Sequence, residues 1–126
     1  MSSLNILIAD DSKIVVHLLT NMFKELGHNI AGTASNGAEA LDKYIELKPD
    51  LVTMDITMPK VDGIQATKNI MAHDPDALVI VITSHGQEQM IVEAVEAGAK
   101  GYILKPFRKE NIDKQIKQIL KKYNKS

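Results

Sequence analysis

The chain has no cysteine and no tryptophan, and aromatic residues make up only 4% of its 126 residues. Without cysteine, a disulfide scaffold and a thiolate metal site are both excluded. The shortage of aromatic side chains argues against a surface that binds nucleic acid by stacking on bases. No apolar run approaches the ~20 residues that a membrane-spanning helix needs, and no basic segment of the signal-peptide type precedes the first apolar run. We therefore expect a cytoplasmic protein that binds neither membranes nor nucleic acids.

Charge is nearly balanced over the whole chain, at −1, but it is unevenly distributed. Residues 108–126 hold seven Lys/Arg and two acids, a net +5, whereas residues 1–107 hold eight Lys/Arg and fourteen acids, a net −6. Because the basic residues are spread through an amphipathic pattern, a solvated helix face is favoured over a nucleic-acid patch. The length predicts a single domain over residues 1–126, large enough for a real core, and we expect it to be a monomer.

Short apolar runs alternate with longer segments in which apolar residues recur at helical spacing. The apolar runs lie at 5–9, 29–33, 50–54, 77–83 and 101–104. Unbroken apolarity of this kind is typical of strands that are buried on both faces of a parallel sheet. The helical segments lie at 13–27, 37–48, 62–73, 87–97 and 108–123. Five strand–helix units predict an α/β fold, a doubly wound (βα)5 domain with a five-stranded parallel sheet and helices on both faces.

Local signals refine the predicted helices. The spacing of apolar residues predicts a stripe on the first helix, made up of Ile14, Leu18, Met22, Phe23 and Leu26. Gly27 is expected to end that helix as a C′ residue, and Asp62 is expected to cap the third helix at its N-terminus.

Polar residues follow four of the five predicted strands. They are Asp10, Asp11 and Ser12 after the first, Asp55 after the third, Thr83 and Ser84 after the fourth, and Lys105 after the fifth. Parallel topology brings the carboxyl ends of the strands to one edge, where ligands bind in folds of this class. Singly, several of these residues could be helix caps. Together, three crowded carboxylates would raise one another's pKa, so cations are needed. Lys105 supplies one charge, and an oxygen-only cluster suits Mg²⁺ or Mn²⁺ for the rest.

Four motifs in this order carry a resemblance to a known family: "ADDS", "TMDITMPKVDG", "VITS" and "KGYILKPF". Over residues 4–123 the chain resembles the receiver domain of two-component response regulators, most closely the single-domain chemotaxis regulators. The resemblance implies a flavodoxin-like (βα)5 fold. It also implies that Asp55 accepts a phosphoryl group from a histidine kinase. Asp11 would hold Mg²⁺ directly and Asp10 through water, with Asp55 and the backbone carbonyl of Thr57 as the other protein ligands.

The resemblance implies further roles for residues of the fourth and fifth strands. The hydroxyl of Thr83 would hydrogen-bond the phosphoryl group, and Lys105 would pair with one of its oxygens. Tyr102 would change rotamer on activation, with Thr83 as its partner in the switch, and the Lys105–Pro106 peptide bond would be cis. These roles agree with general chemistry, because phosphoryl transfer depends mainly on positioning and on neutralising charge on the phosphoryl oxygens.

Two other functions fit the same topology less well. A phosphatase of the haloacid dehalogenase type needs a second acid two residues after its nucleophile, and Thr57 occupies that position. A flavin-binding protein must cradle a phosphate in its first loop, where Asp10 and Asp11 would repel it. His85, two residues past Thr83, is expected either to contact the phosphoryl group or to be an exposed loop residue.

We therefore expect a phospho-accepting receiver that is not an enzyme. Its only reactions would be Mg²⁺-dependent self-phosphorylation and slow autodephosphorylation. Its output would be phosphorylation-dependent binding of a downstream protein, such as a component of the flagellar motor switch in chemotaxis. The binding face is expected to comprise residues 84–97, Tyr102 and residues 108–120. A stand-alone phosphorelay shuttle, or a receiver cut from a longer regulator, remains the alternative.

Overall fold

The computed structural model of the protein describes residues 3–123. Five strands alternate with five helices in the order β1 (Asn5–Ala9), α1 (Lys13–Glu25), β2 (Asn29–Ala34), α2 (Gly37–Leu47), β3 (Leu51–Met54), α3 (Gly63–His73), β4 (Val79–Thr83), α4 (Glu88–Ala97), β5 (Gly101–Leu104) and α5 (Lys109–Lys122). All neighbouring strands pair in parallel, in the spatial order β2-β1-β3-β4-β5. The predicted fold class is confirmed. Across residues 3–123, none of the helices combines the length and the apolar character that crossing a membrane requires.

Side-chain caps begin the first three helices. The Ser12 hydroxyl accepts a hydrogen bond from the Val15 N–H at the start of α1. Asp62 caps α3 as predicted, because its carboxylate accepts from the Gln65 N–H at 2.8 Å. Gly27, at φ +90°, follows the C-cap of α1, so the predicted C′ position is also confirmed. Each cap satisfies a terminal backbone group that the helix itself leaves without a partner.

The helices bury the sheet on both faces. On one face, α1 and α5 pack against β1, β4 and β5 through Leu19, Phe23, Ile112, Ile116 and Ile119. On the other face, α2 and α3 cover β1 and β3 through Ala40, Tyr44, Ala66 and Ile70, and Ala94 and Ala97 of α4 cover Val81 of β4. Burying one large apolar side chain stabilises the fold by about 1.5–3 kcal/mol. This two-sided burial makes the sheet a rigid base for whatever follows its strands.

The apolar stripe predicted for α1 is wrong in part. Ile14 is 74% exposed and Leu18 is 45% exposed, whereas Phe23 is buried as predicted and Leu19, which was not in the predicted stripe, is buried as well. The segment carries two overlapping stripes at helical spacing, and periodicity alone does not say which one faces the sheet. Ile45 of α2 and Val95 of α4 are exposed as well. Apolar residues therefore remain on the surface of α1, α2 and α4.

Candidate functional site

Asp10 and Asp55 are placed by the ends of two adjacent strands. The backbone N–H of Asp10 donates to the Ala34 carbonyl of β2, and that of Asp55 donates to the Ala9 carbonyl of β1, each at 2.9 Å. Both carboxylates are nearly buried, with 4% and 5% of the residue exposed, whereas Asp11 is exposed. The sheet thus fixes two acids at its carboxyl edge, and Asp11 faces solvent beside them.

The three acids form one compact cluster. One carboxylate oxygen from each of Asp10, Asp11 and Asp55 lies within 4.8 Å of the others. Lys105 reaches the cluster from the end of β5, with its Nζ 3.1 Å from Asp10 Oδ2 and 3.7 Å from Asp55 Oδ1. One lysine leaves the cluster with net negative charge. An oxygen-only donor set of this kind fits a hard divalent cation, so the three residues could hold a metal.

Asp55 is in an unfavourable environment for a carboxylate. Burial is the main cause that raises its pKa above the ordinary value, and the charge of Asp10 adds to the effect. Lys105 opposes it, as do hydrogen bonds from the Thr83 side chain and the Ile56 backbone. The rise in pKa means that these donors do not fully offset burial and repulsion. A bound cation would therefore stabilise the ionised form that a nucleophile requires.

Thr83 connects the acid cluster to β5. The residue is fully buried, and its hydroxyl is hydrogen-bonded to Asp55 and accepts from the His85 N–H at 3.4 Å. Its own carbonyl accepts from the Lys105 N–H at 2.8 Å. The structure thus brings Thr83 and Lys105 to Asp55, where the sequence placed them, and the Lys105–Pro106 bond is cis.

His85 joins two loops across this edge of the sheet. Its Nε2 lies 3.1 Å from the hydroxyl of Thr57 in the β3–α3 loop, and its backbone carbonyl accepts a hydrogen bond from the Tyr102 hydroxyl. Tyr102 is partly buried, and burial raises its pKa. The sequence left the role of His85 open. The contact with Thr57 joins residues 28 positions apart, so no local pattern could have revealed it.

Gly63 was also missed as a contributor to the site. Its N–H donates to the Ile56 carbonyl at 2.8 Å, and a Cβ on Gly63 would lie 1.9 Å from the Asp55 carbonyl oxygen. A side chain there would displace the backbone of Asp55. Asp62 was interpreted only as a helix cap, although a glycine next to it, at the first position of a helix, is a usable signal of close backbone approach.

Comparison with known proteins identifies the family. The model of the response regulator receiver domain matches residues 6–117, and the chain belongs to that family, whose members are signalling proteins rather than classical enzymes. Within the family it is closely related to the chemotaxis regulators named CheY. It is 46% identical over 116 residues to the chemotaxis protein CheY of Thermotoga maritima, covering 92% of this chain and 97% of the relative. It is 42% identical over 115 residues to CheY of Bacillus subtilis, covering 91% and 96%.

Solved structures give the same result. A chain of the CheX–CheY–BeF3–Mg²⁺ complex from Borrelia burgdorferi superposes with a TM-score of 0.89 at 42% identity, covering 92% of this chain and 88% of that one. A CheY-like receiver domain from Methanospirillum hungatei superposes with a TM-score of 0.90 at 25% identity, covering 98% of both chains. The family predicted from the four motifs is confirmed, and with it signalling of the two-component type.

Proposed function

We propose that Asp55 accepts a phosphoryl group from a histidine kinase and that the phosphorylated protein signals by binding a downstream partner. The observation that carries this proposal is the convergence of three carboxylates, Lys105 and Thr83 within one cluster. The Asp55 carboxylate forms a bond to phosphorus while the bond from phosphorus to the donor's leaving atom breaks, and the electron pair leaves with that atom. The product is an acyl phosphate on Asp55.

The chain's own residues have separate tasks in this step. Asp10, Asp11, Asp55 and the carbonyl of Thr57 would hold Mg²⁺, with Mn²⁺ as a substitute, which fits the oxygen-only donor set. The metal, when bound, supplies positive charge beside the phosphoryl oxygens. Lys105 donates to one of those oxygens. These donors act by positioning and by electrostatic stabilisation.

Thr83 is proposed to carry the signal from Asp55 to β5. Its hydroxyl, now hydrogen-bonded to Asp55, would turn to the phosphoryl group, and the contacts of His85 would rearrange with it. Tyr102, whose hydroxyl donates a hydrogen bond to the His85 carbonyl, would then change rotamer. Phosphorylation can shift this balance only by its different interaction with the two states.

Besides its own phosphorylation, the only reaction that we propose for the protein is slow hydrolysis of the phosphoryl group from Asp55. Thr57 has neither a carboxamide nor a carboxylate with which to place a water in line for attack. No enzyme activity beyond self-phosphorylation and autodephosphorylation is therefore proposed.

The output surface is proposed to consist of α4, β5 and α5 around Tyr102. Val92, Val95 and Leu104 are large apolar residues on this surface that are 46–58% exposed. The basic character of α5 favours a partner segment that combines acidic and apolar residues. We propose a component of the flagellar motor switch as the partner. We also propose that residues 1–126 form a single receiver domain, which acts as a monomer in the cytoplasm. The related CheY of Borrelia burgdorferi forms a complex with CheX, which provides a second partner to test.

The proposal is tested by the affinity of the protein for a motor switch protein with and without beryllofluoride and Mg²⁺. We expect affinity to rise when both are present, to stay unchanged in Asp55→Asn, and to rise much less in Thr83→Ala. Ser35→Ala is the control, because Ser35 is exposed and follows β2, at the opposite edge of the sheet from β5. If the affinity of the wild type for the motor switch protein is the same with and without beryllofluoride, the proposed binding of the motor switch is refuted.

The exposed residues of α1 support a second candidate function, a phosphorelay shuttle. Ile14 and Leu18 lie on α1, which begins two residues after Asp11, and they are 74% and 45% exposed. An apolar strip beside the acceptor is suited to docking the helices of a protein that gives or takes the phosphoryl group. Transfer from phosphorylated Asp55 to a histidine phosphotransfer domain would support the shuttle, and transfer in the kinase-to-receiver direction alone would exclude it.

A further inference from the structure

The loop between β3 and α3, residues 55–62, has an unusual backbone conformation. Lys60 in this loop has φ +66°, a region that residues other than glycine seldom occupy. Such a conformation persists only where surrounding contacts enforce it. The loop also carries Asp55 and Thr57, so the contacts that hold it bear on the phosphorylation site.

One anchor lies at the α3 end and has been described above. The Gly63 N–H holds the Ile56 carbonyl, and the absent side chain of Gly63 leaves room for the backbone of Asp55. This anchor fixes the start of the loop against the start of α3. It does not by itself account for the turn at Lys60, four residues further along than Ile56.

The second anchor comes from Gly37, the first residue of α2, which forms no part of the acid cluster. Its N–H donates to the Val61 carbonyl at 2.9 Å. As the first N–H of a helix it has no acceptor within the helix, so the loop satisfies it. A Cβ on Gly37 would lie 2.2 Å from the Val61 carbonyl oxygen and 2.8 Å from the carbonyl carbon. Because these are backbone atoms, they could give way only if the loop itself moved.

We propose that Gly37 is a positioning residue for the phosphorylation site. Its close approach to Val61 holds the loop in the left-handed turn and so fixes the position of Thr57, two residues past Asp55. The inference rests on the proposed function, since it concerns the metal that the Thr57 carbonyl is expected to bind. By the reciprocity of coupled equilibria, metal binding must in turn strengthen the contact between Gly37 and Val61.

Gly37→Ala is the direct test, with phosphorylation of the full chain by acetyl phosphate measured over a range of Mg²⁺ concentrations. Alanine is favoured over glycine in a helix, so α2 itself is not weakened, but Val61 must move. We expect the Mg²⁺ concentration for half-maximal phosphorylation to rise about tenfold or more, because losing a group that orients a metal ligand costs about 10–100-fold in metal affinity. In the matched control, Gly32→Ala, the new Cβ meets the end of the flexible Leu47 side chain at 2.7 Å, and the Mg²⁺ requirement should stay within about twofold of the wild type.

A second control separates positioning from loss of stability. Ile45 lies in the same helix, is exposed, and is not part of the apolar cluster that contains Met58 and Val61 of the loop, so Ile45→Gly weakens α2 at a site apart from the loop. We expect Ile45→Gly to be less stable in urea than the wild type and yet to keep the wild-type requirement for Mg²⁺. The proposal is overturned if Gly37→Ala behaves as the wild type, or if Ile45→Gly loses metal affinity to the same extent as Gly37→Ala.

Hydrogen exchange in the wild type provides a test that does not depend on a folded variant. Saturating Mg²⁺ should slow exchange of the Gly37 amide more than that of the Ala40 amide, which is bonded within α2 to the Asn36 carbonyl at 3.0 Å. Equal slowing at both amides, or no change at Gly37, contradicts the inference. A wild type that takes up no phosphoryl group with Mg²⁺ would instead refute the proposed function, and the inference with it.

Discussion

Carboxylates at the two ends of the sheet are used in opposite ways. At the end where the strands begin, Asp50 accepts the Asn5 N–H at 2.8 Å. Asp74, at the same end, accepts both the Asp76 N–H at 3.0 Å and the Tyr44 hydroxyl at 2.8 Å. At the end where the strands finish, Asp10, Asp11 and Asp55 crowd together around Lys105. The acids of one end hold loops in place, and those of the other repel one another.

This difference separates a structural acid from a functional one. Hydrogen bonds to a charged acceptor stabilise a fold by roughly 1.5–3 kcal/mol each. Asp50 and Asp74, at the end where the strands begin, contribute stability of this kind. At the second end the raised pKa of Asp55 shows that folding is opposed by its charge. A strongly perturbed carboxylate cluster of this kind is typical of a functional site, and the compensating ligand that we propose here is a metal cation.

The largest effect is expected from removing an acid at the carboxyl edge. Asp11→Ala should abolish measurable Mg²⁺ binding in a calorimetric titration, because Mg²⁺ demands octahedral oxygen geometry and relies on few protein ligands. Asp50→Ala, the control from the opposite edge, should bind Mg²⁺ as the wild type does. Unchanged Mg²⁺ affinity in Asp11→Ala would show that the metal lies elsewhere.

The next largest effect is expected at Lys105. Lys105→Ala should slow phosphorylation by acetyl phosphate at saturating Mg²⁺ by about a hundredfold, the usual effect of losing one donor to the developing charge. Lys109→Ala is the control, since Lys109 pairs with Glu25 at 2.8 Å on α1 and not with the acid cluster. If both variants react at the wild-type rate, Lys105 has no part in the transfer.

A smaller effect is expected on the free energy of unfolding, and it should have opposite signs when an aspartate is replaced at the two ends of the sheet. Because the folded state raises the pKa of Asp55 above its ordinary value of 3.8, the folded protein holds that proton more tightly than the unfolded chain. The free energy of unfolding then falls as pH rises from about 3.8 through the raised pKa, and stays lower above it. Without divalent cations, Asp55→Asn should therefore be more stable than the wild type at neutral pH, with the gain vanishing at acid pH.

Urea unfolding in the presence of a chelator measures this difference. Asp50→Asn should be less stable than the wild type at neutral pH, since it loses a charged acceptor for the Asn5 N–H. Added Mg²⁺ should stabilise the wild type and Asp50→Asn more than Asp55→Asn. Equal destabilisation by both substitutions would remove the distinction between the two ends.

The smallest effect is expected at Tyr44. Tyr44→Phe deletes the hydrogen bond to Asp74 and should lower the free energy of unfolding by about 1 kcal/mol. Phosphorylation and Mg²⁺ affinity should be unchanged, because the hydroxyl lies at the far end of the sheet. A change in either would mean that the two ends are coupled.

Much of the fold and of the site was predictable because both depend on local pattern plus topology. Unbroken apolar runs marked the strands, and parallel pairing alone placed Asp10, Asp55 and Lys105 at one edge. The exposure of Ile14 was not predictable, since two apolar stripes share α1. The His85–Thr57 contact was not predictable either, because it depends on how two distant loops fold against each other.

Gly37 illustrates a further limit. Its sequence neighbourhood shows an ordinary helix start, and only the tertiary structure shows the Val61 carbonyl against its Cα. The requirement for glycine is imposed by another segment, 24 residues away.

The most direct test of the account is chemical identification of the phosphorylated residue. The protein is incubated with acetyl phosphate and Mg²⁺, and borohydride then reduces any acyl phosphate, which converts the modified aspartate to homoserine. Peptide mass mapping should find homoserine at position 55 alone, and none when Mg²⁺ is replaced by a chelator. Homoserine at position 10, 11 or 50 in place of 55, or labelling that persists in Asp55→Asn, would contradict the account.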